Sequence, residues 1–205
     1  MKRAAPENLP GKPLKGSDME YHSVIDRWGN GCSFICSNYM GIGSGLVAGD
    51  TGIALQNRGA LFSLDPNHRN CIAPGKRPYH TIIQAMAVPL SGGKPYRVVS
   101  YGVMGGFMQP QGHLQVTCNL ADFGLNPQEA LDAPRFRVEG GAEVAIEPGV
   151  PEAVRAALAA RGHALNVSEW WSPSFGRGQV LVVDADSGAI LAGSEPRSDG
   201  CAAGW

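Results

Sequence analysis

The sequence predicts an α+β fold, because it places a β-hairpin pattern near each end of the chain and short capped helices between them. The first hairpin is indicated by two β-prone runs, residues 21–25 and 32–37, which flank a cluster of turn-forming residues. The second is indicated by residues 179–183 and 189–192, which flank another such cluster. Hairpins separated by helices favour an antiparallel sheet with packed helices over alternating βαβ units.

Three helices are predicted between the hairpins. Residues 126–132 begin with Asn-Pro and carry a Glu three residues after the Asn, a capping-box pattern with proline in the first turn. Residues 151–160 place Val and Leu on one face among alanines, and Gly162 follows as a C-terminal cap. The third helix is expected at residues 111–122.

Length and composition are those of one globular domain. The 205 residues are 43% hydrophobic and 17% charged, and 28 Gly with 15 Pro indicate many tight turns. Residues 1–18 are rich in Pro, Gly and Lys and are expected to form a flexible arm, so the domain is assigned to residues 19–205.

Charge and hydropathy exclude two classes of partner. The formal net charge is −1 with both signs mixed, which provides no basic patch for nucleic acid or for an anionic membrane. No apolar run approaches the about 20 residues of a membrane-spanning helix, and no hydrophobic segment follows Lys2 and Arg3 to make a signal peptide. The chain is therefore expected in the cytoplasm, with neither nucleic acid nor membrane as a partner.

An odd number of cysteines excludes a complete disulfide framework. The five are Cys32, Cys36, Cys71, Cys118 and Cys201. Reduced thiols are expected. Cys32 and Cys36 share one face of a predicted strand, where they serve either as buried small apolar side chains or as part of a metal site. Four metal ligands are not found together, so neither a metal nor a cofactor is predicted.

Several motifs follow one another through most of the chain after residue 16. They are residues 43–45 (GSG) with 52–59 (GIALQNRG), 74–83 (PGKRPYHTII), 102–113 (GVMGGFMQPQGH), 122–136 (DFGLNPQEALDAPRF) and 193–200 (GSEPRSDG). In this order and spacing they resemble the small subunit of the γ-glutamyltransferase family. Within that family they are more similar to the acylase-like branch, which acts on varied amides, than to the branch that processes glutathione.

The resemblance implies the N-terminal-nucleophile hydrolase fold, an αββα sandwich assembled from a large and a small subunit that are cut from one precursor. The chain matches the small-subunit half, with its antiparallel sheet and packed helices. A small-molecule amide is the implied substrate. A large subunit on a separate chain, or further copies of this chain in a homo-oligomer, is the implied partner.

The position of the family's nucleophile is occupied by Met19, in the segment 16–26 (GSDMEYHSVID). In the family a threonine is freed at this point by self-cleavage, and it attacks the amide while its own α-amine acts as the base. A thioether has no proton to give and no anionic form, so Met19 performs neither step. Ser17, two residues away, is the alternative nucleophile. The chain is therefore predicted to be inactive by itself.

Two glycines and a serine correspond to the family's supporting catalytic groups. Gly105 and Gly106 match the pair whose backbone N–H groups form the oxyanion hole, a task that suits glycine because no Cβ blocks the approach. A tight strand-to-helix turn is the alternative interpretation. Ser37 matches a hydroxyl that contacts the nucleophile and supports its amine, or else it is a serine bonded at a strand edge. Gln109 and His113 are expected to organise the turn below the glycines.

Four further positions are predicted to contact substrate. Tyr39 replaces a polar amide of the glutathione branch, and His80 and Thr81 align with its two carboxylate-binding hydroxyl residues. Of this pair, Thr81 keeps a hydroxyl, and His80 is either a packed hydrogen-bonded side chain or a catalyst. Residues 60–61 are Ala-Leu where that branch has an acid for the substrate ammonium. Arg58 is predicted to pair with the carboxylate of a dicarboxylic half-amide, or else with an acid of the chain or of the large subunit.

Two hypotheses about function follow. In the first, the chain is the light subunit of an amidohydrolase or γ-glutamyltransferase that acts on γ-glutamyl or glutaryl amides and has lost activity with Met19. In the second, it is a light-chain-only paralogue that acts as a binding or assembly subunit. An altered or truncated gene product without a selected role is a third alternative. The second hypothesis predicts an exposed apolar face where the large subunit would dock.

Overall fold

A computed structural model of the chain describes residues 19–88 and 96–205. Within these ranges the elements are β1 (Glu20–Ile25), β2 (Gly31–Cys36), β3 (Ala85–Ala87), β4 (Tyr96–Met104), α1 (Gln109–Ala121), α2 (Pro127–Asp132), β5 (Phe136–Gly140), β6 (Glu143–Ile146), α3 (Glu152–Ala160), β7 (Ala164–Val167), β8 (Arg177–Asp184) and β9 (Ile190–Ser194). The predicted N-terminal arm, residues 1–18, lies outside the described residues.

An antiparallel sheet with the strand order β3-β4-β8-β9 forms the centre of the fold. One face carries the core: Val99 and Val103 of β4 pack with Val180 and Val182 of β8 against the helices. Val116 and Leu120 of α1 and Ala130 and Leu131 of α2 complete this core. Because side chains alternate along a strand, the even-numbered residues of β4 point to the opposite face of the sheet.

The β1-β2 hairpin covers that opposite face of the sheet. The Ser23 hydroxyl of β1 donates a hydrogen bond to the Ser100 hydroxyl of β4 at 2.7 Å. Tyr21 lies against Gly102, where a Cβ would stand 2.6 Å from the tyrosine ring. The described part of the chain therefore stacks a helical layer, the central sheet and a second, two-stranded sheet.

Both predicted hairpins and all three predicted helices are present, with ends shifted by no more than a few residues. The capping box of α2 is complete: the Glu129 backbone N–H donates to Asn126 Oδ1 at 2.9 Å, and the Asn126 N–H donates to Glu129 Oε2 at 3.0 Å. α1 begins at Gln109, two residues before its predicted start. No helix among the described residues is long and apolar enough to cross a bilayer.

A third sheet, β5-β6-β7, was not predicted. β5 and β6 are antiparallel, whereas β6 and β7 are parallel and are joined across α3. Two glutamines on successive turns of α1 bond the backbone of β5: Gln115 accepts from the Phe136 N–H at 3.0 Å, and Gln111 accepts from the Val138 N–H at 2.7 Å. These side chains satisfy an edge that would otherwise expose unpaired backbone groups.

Two arginines and two glutamates form a buried network between the sheets. Arg135 donates to Glu195 at 2.8 Å, and Arg197 donates to both Glu195 and Glu147 at 2.5 Å. The network has no net charge, and its carboxylates also accept backbone N–H groups, for example Gly178 at 2.7 Å. It ties the ends of β6 and β9 to the C-terminal end of α2, because both arginines also donate to the Leu131 carbonyl.

The cysteines are free, but the prediction that Cys32 and Cys36 are buried is wrong. Strand β2 turns Ile35 inward, so the even-numbered positions that hold both cysteines face outward. Within residues 19–88 and 96–205, no group of three or more His, Cys, Asp or Glu side chains is placed to hold a metal ion.

Candidate active site

Met19 lies just before β1 and is only 5% exposed. It packs with Tyr21, Ile35 and Met104 in a small apolar cluster beneath the hairpin. The side-chain amide of Gln109 donates to Met19 Sδ at 3.2 Å, and its carbonyl oxygen accepts the Ile83 N–H at 3.1 Å. Gln109 is itself completely buried, so it fixes position 19 against the start of α1.

An open cleft of about 160 Å³ adjoins Met19. Its lining residues are Met19, Glu20, Cys36, Ser37, Asn38 and Gly41. Ser37 Oγ accepts a hydrogen bond from the Tyr39 N–H at 2.8 Å, which turns the chain at the end of β2. The structure therefore brings the predicted nucleophile position and the predicted supporting serine to one cleft.

Gly105 and Gly106 form the turn between β4 and α1. Both have positive φ, 139° and 58°, which glycine adopts at little cost. A Cβ on Gly105 would stand 3.2 Å from Gly176 Cα, whereas the space over Gly106 is open. Met104 and Gln109, on either side of the turn, both contact Met19. The glycine pair thus lies between two residues that pack with or bond to Met19, and its positive φ values fit the tight turn.

Arg58 is buried beside the predicted substrate residues Tyr39 and Thr81. Its Nη1 donates to Thr81 Oγ1 at 2.9 Å, and its guanidinium carbon lies 5.5 Å from the centre of the Tyr39 ring. Burial lowers the pKa of Arg58 and raises that of Tyr39, while the Arg58 charge moderates the shift at Tyr39. The two side chains and Thr81 therefore form one contact group.

Asn57 positions the loop that carries Tyr39, a role that the sequence analysis did not assign. Its side chain accepts from the Met40 N–H at 3.1 Å and donates to the Gly43 carbonyl at 3.0 Å. Tyr39 is held at φ 81°, a conformation that non-glycine residues rarely adopt. The position of Asn57 in the GIALQNRG motif, next to Arg58, was the available signal.

His80 and His113 differ in environment. His80 is exposed, and its Nδ1 accepts the Ile82 N–H at 3.2 Å. Partial desolvation, and then the charges of Arg58 and Arg77, lower the pKa of His80. His113 is buried in α1, where burial lowers the pKa of its imidazole and Nδ1 contacts the Gln109 carbonyl oxygen at 2.7 Å. The structure places His80 near Arg58, at the edge of the Arg58 contact group.

The layered fold is that of the N-terminal-nucleophile hydrolase class. Residues 3–205 match the family model for gamma-glutamyltranspeptidase. The chain belongs to the gamma-glutamyltranspeptidase family.

Its relatives include hydrolases and acylases. The glutathione hydrolase-like YwrD proenzyme of Bacillus subtilis (strain 168) is 40% identical over 92% of this chain and 36% of that protein. The oxamate amidohydrolase proenzyme of Klebsiella pneumoniae is 37% identical over 92% of the chain and 36% of that protein. The crystal structure of cephalosporin acylase from Bacillus halodurans superimposes with a TM-score of 0.77 at 47% identity, over 90% of this chain and 34% of that chain. The chain thus spans about a third of the length of these proteins.

The comparisons confirm the predicted family and fold, including the likeness to acylases. The roles assigned to Met19, Ser37, Gly105 and Gly106, and the substrate contacts of Tyr39, Arg58, His80 and Thr81, stay predictions.

Proposed function

We propose that the chain is the light subunit of an amidohydrolase or acyltransferase for γ-glutamyl or glutaryl amides, and that Met19 leaves it inactive by itself. The supporting observation is the placement of Met19 at a cleft beside Ser37 and next to the glycine turn. Acyl transfer needs a nucleophile, a base and donors for the oxyanion. Met19 supplies neither the nucleophile nor the base, because a thioether cannot form the ester intermediate and the nitrogen of an internal residue is in a peptide bond.

Two of the relatives support an amide as the substrate. One is named an amidohydrolase for oxamate and another a cephalosporin acylase. Oxamate is the half-amide of a dicarboxylic acid, which has the same combination of amide and carboxylate as a glutaryl amide. We therefore favour acidic amides as the substrate class.

A large subunit is the proposed partner, because the chain spans only about a third of its relatives. The outer face of the β1-β2 hairpin supports this proposal. Val24 is 57% exposed and Phe34 is 53% exposed, although both lie on strands of the fold. Exposed apolar side chains on a sheet face mark a surface that another layer covers. The same surface would serve a homo-oligomer.

A non-catalytic binding or assembly subunit is the second candidate. It is favoured by the close packing of Met19, which fills its site as an apolar core residue and accepts a weak hydrogen bond from Gln109. This candidate predicts that a hydroxyl at position 19 restores no turnover.

An activity assay separates the two candidates. The test chain comprises residues 19–205 with Met19→Thr, so that the threonine has a free α-amine. It is combined with the part of the Bacillus subtilis relative that precedes the region matched by this chain. Release of nitroaniline from glutaryl and γ-glutamyl p-nitroanilide is measured, with Met19→Ala and the unmodified chain as controls. We expect turnover by the complex that contains the Met19→Thr chain and none by the two controls. Turnover by the unmodified chain would contradict the proposed inactivity, and its absence from a Met19→Thr complex shown to form would favour the binding subunit.

A further inference from the structure

His113 is a buried imidazole that the proposed chemistry does not use. It lies in the second turn of α1 and is 8% exposed. Its Nδ1 lies 2.7 Å from the Gln109 carbonyl oxygen, and because a carbonyl oxygen only accepts, Nδ1 carries the proton of the neutral ring. Nε2 is therefore left as an acceptor, and it is buried without a hydrogen-bond partner among the described residues. One ring nitrogen is thus satisfied and the other is not.

The groups around the imidazole hold it in place without supplying a counter-ion. The Tyr101 ring of β4 lies 5.5 Å from the imidazole, centre to centre, and is the titratable group that faces it from the central sheet. Thr117 donates its hydroxyl proton to the His113 carbonyl, so the Tyr101 hydroxyl donates to Thr117 Oγ1 at 2.8 Å and the ring is fixed. Within the described part of the chain, no ion pair includes His113.

A second proton on His113 would place a positive charge in this buried site. Burial lowers the pKa of the imidazole, although the backbone groups of Gln109 and Ile83 beside the ring oppose the shift. In the folded chain the ring is therefore neutral at pH 7. Because a charged imidazole is better solvated in water, protonation favours a state in which the ring leaves its site. Leaving breaks both the bond to the Gln109 carbonyl and the contact with Tyr101.

Gln109 connects the imidazole to position 19. Its backbone carbonyl accepts from His113, while its side-chain amide donates to Met19 Sδ and accepts the Ile83 N–H. Gln109 is also the first residue of α1, just after the glycine turn. A change at His113 therefore reaches the side chain at position 19 through a single residue.

We propose that His113 is a pH-sensitive latch: the neutral imidazole holds the first turn of α1 against the central sheet, and protonation releases that turn together with Gln109 and the side chain at position 19. This inference goes beyond the proposed function and does not depend on it. An imidazole whose pKa is lower in the closed state binds more protons when the site opens. The latch is therefore fully closed above the pKa of the open state, about 6.5, and weakens as the pH falls from there toward the lower pKa of the closed state.

Amide hydrogen exchange of the full unmodified chain tests the latch. The measured quantity is the protection factor of residues 105–113 at pH 7.5 and at pH 5.5, which corrects for the effect of pH on intrinsic exchange. A pKa of about 6.5 in the open state predicts that protection falls by up to about tenfold over this interval. Protection of β8 should change by less than about twofold, because the release is local.

NMR follows the two ends of the latch in the same chain. The His113 ring resonance should titrate at a lower pH than it does in the urea-unfolded chain. The Met19 ε-methyl resonance, assigned with Met19→Ala, should move with the same midpoint as His113, because Gln109 bonds both side chains.

Three variants complete the experiment. His113→Gln keeps a donor for the Gln109 carbonyl and stays neutral, so it should retain most of the protection at pH 7.5 and lose the decrease at pH 5.5. His113→Phe keeps an aromatic ring beside Tyr101 without the donor, so its protection should be lower at pH 7.5 and also independent of pH. His163→Gln is the matched control, because this histidine is exposed and the decrease should remain.

Each outcome supports or overturns the latch. Loss of the pH-dependent decrease in both His113 variants, with the decrease intact in His163→Gln, supports it. A decrease that persists in His113→Gln, protection that is independent of pH in the unmodified chain, or a Met19 resonance that does not follow His113 would overturn it. An equal decrease in β8 would also overturn it, because His113 would then stabilise the whole domain. None of these results depends on turnover, so the proposed function is tested separately.

Discussion

Two buried arginines show how similar residues serve different ends in this chain. Arg135 donates to Glu195 and to three backbone carbonyls, so its charge is matched within the fold. Arg58 has a hydroxyl and an aromatic ring as neighbours but no carboxylate among the described residues. Removing one partner of a buried ion pair lowers the free energy of unfolding, because the other charge is left buried without a partner. Removing a buried charge that has no partner leaves no such charge behind.

Methionine substitutions at the two arginines separate these roles, since methionine has a similar length and no charge. Arg135→Met leaves Glu195 buried without this partner, so we expect the free energy of unfolding to fall by about 3–5 kcal/mol. Arg58→Met removes an unmatched charge, so we expect the free energy of unfolding to fall by less than about 0.5 kcal/mol or to rise. Urea unfolding at pH 7 measures both values. A loss at Arg58→Met as large as at Arg135→Met would assign Arg58 to the fold.

The residues of the candidate site were predictable from motifs, but their contacts were not. Arg58 and Thr81 were assigned from their place in a motif, whereas Met19, Ser37 and Tyr39 were assigned from their correspondence to positions of the family. The bond from Gln109 to Met19 joins residues 90 positions apart, and no local pattern indicates it. Contacts of this kind depend on how the sheets pack, which periodicity alone does not determine.

At the scale of elements, the sequence was sufficient to predict a helix or hairpin where capping and turn residues mark its ends. The capping box of α2 and the turn clusters of both hairpins satisfy backbone groups within a few residues, so sequence indicates them directly. Strand β7, by contrast, has four residues, and none is fully buried. It pairs in parallel with β6 across α3, and such pairing has no two-residue turn to mark it.

Gly102 controls how closely the hairpin approaches the central sheet. Gly102→Ala would place a Cβ 2.6 Å from the Tyr21 ring, so we expect the free energy of unfolding to fall by about 1–3 kcal/mol. Amide exchange in β1 and β2 should also accelerate, because the hairpin is pushed from the sheet. Gly59→Ala is the matched control, since no atom stands within 4 Å of its Cβ. Equal losses at the two glycines would contradict this view of the packing.

At the scale of the whole molecule, the described residues supply one helical layer and two sheets of an αββα sandwich. The helices cover one face of the central sheet, and the hairpin covers the other. The outer face of the hairpin carries exposed Val24 and Phe34 together with Cys32 and Cys36. We expect the large subunit to cover this face, because an apolar sheet face is stable only when another layer packs on it.

Acyl transfer to residue 19 tests most directly whether the site lacks only the nucleophile and the α-amine that residue 19 would supply. The complexes used for the activity assay, with the full unmodified chain added, are mixed with glutaryl p-nitroanilide and quenched within the first turnover. Peptide mass spectrometry then locates the acyl group. The expected result is a glutaryl ester on residue 19 of the Met19→Thr chain and no adduct on the unmodified chain. An adduct on the unmodified chain, for example at Ser17 or Cys36, would show that another nucleophile serves the site. That result would contradict the proposal that Met19 leaves the chain inactive.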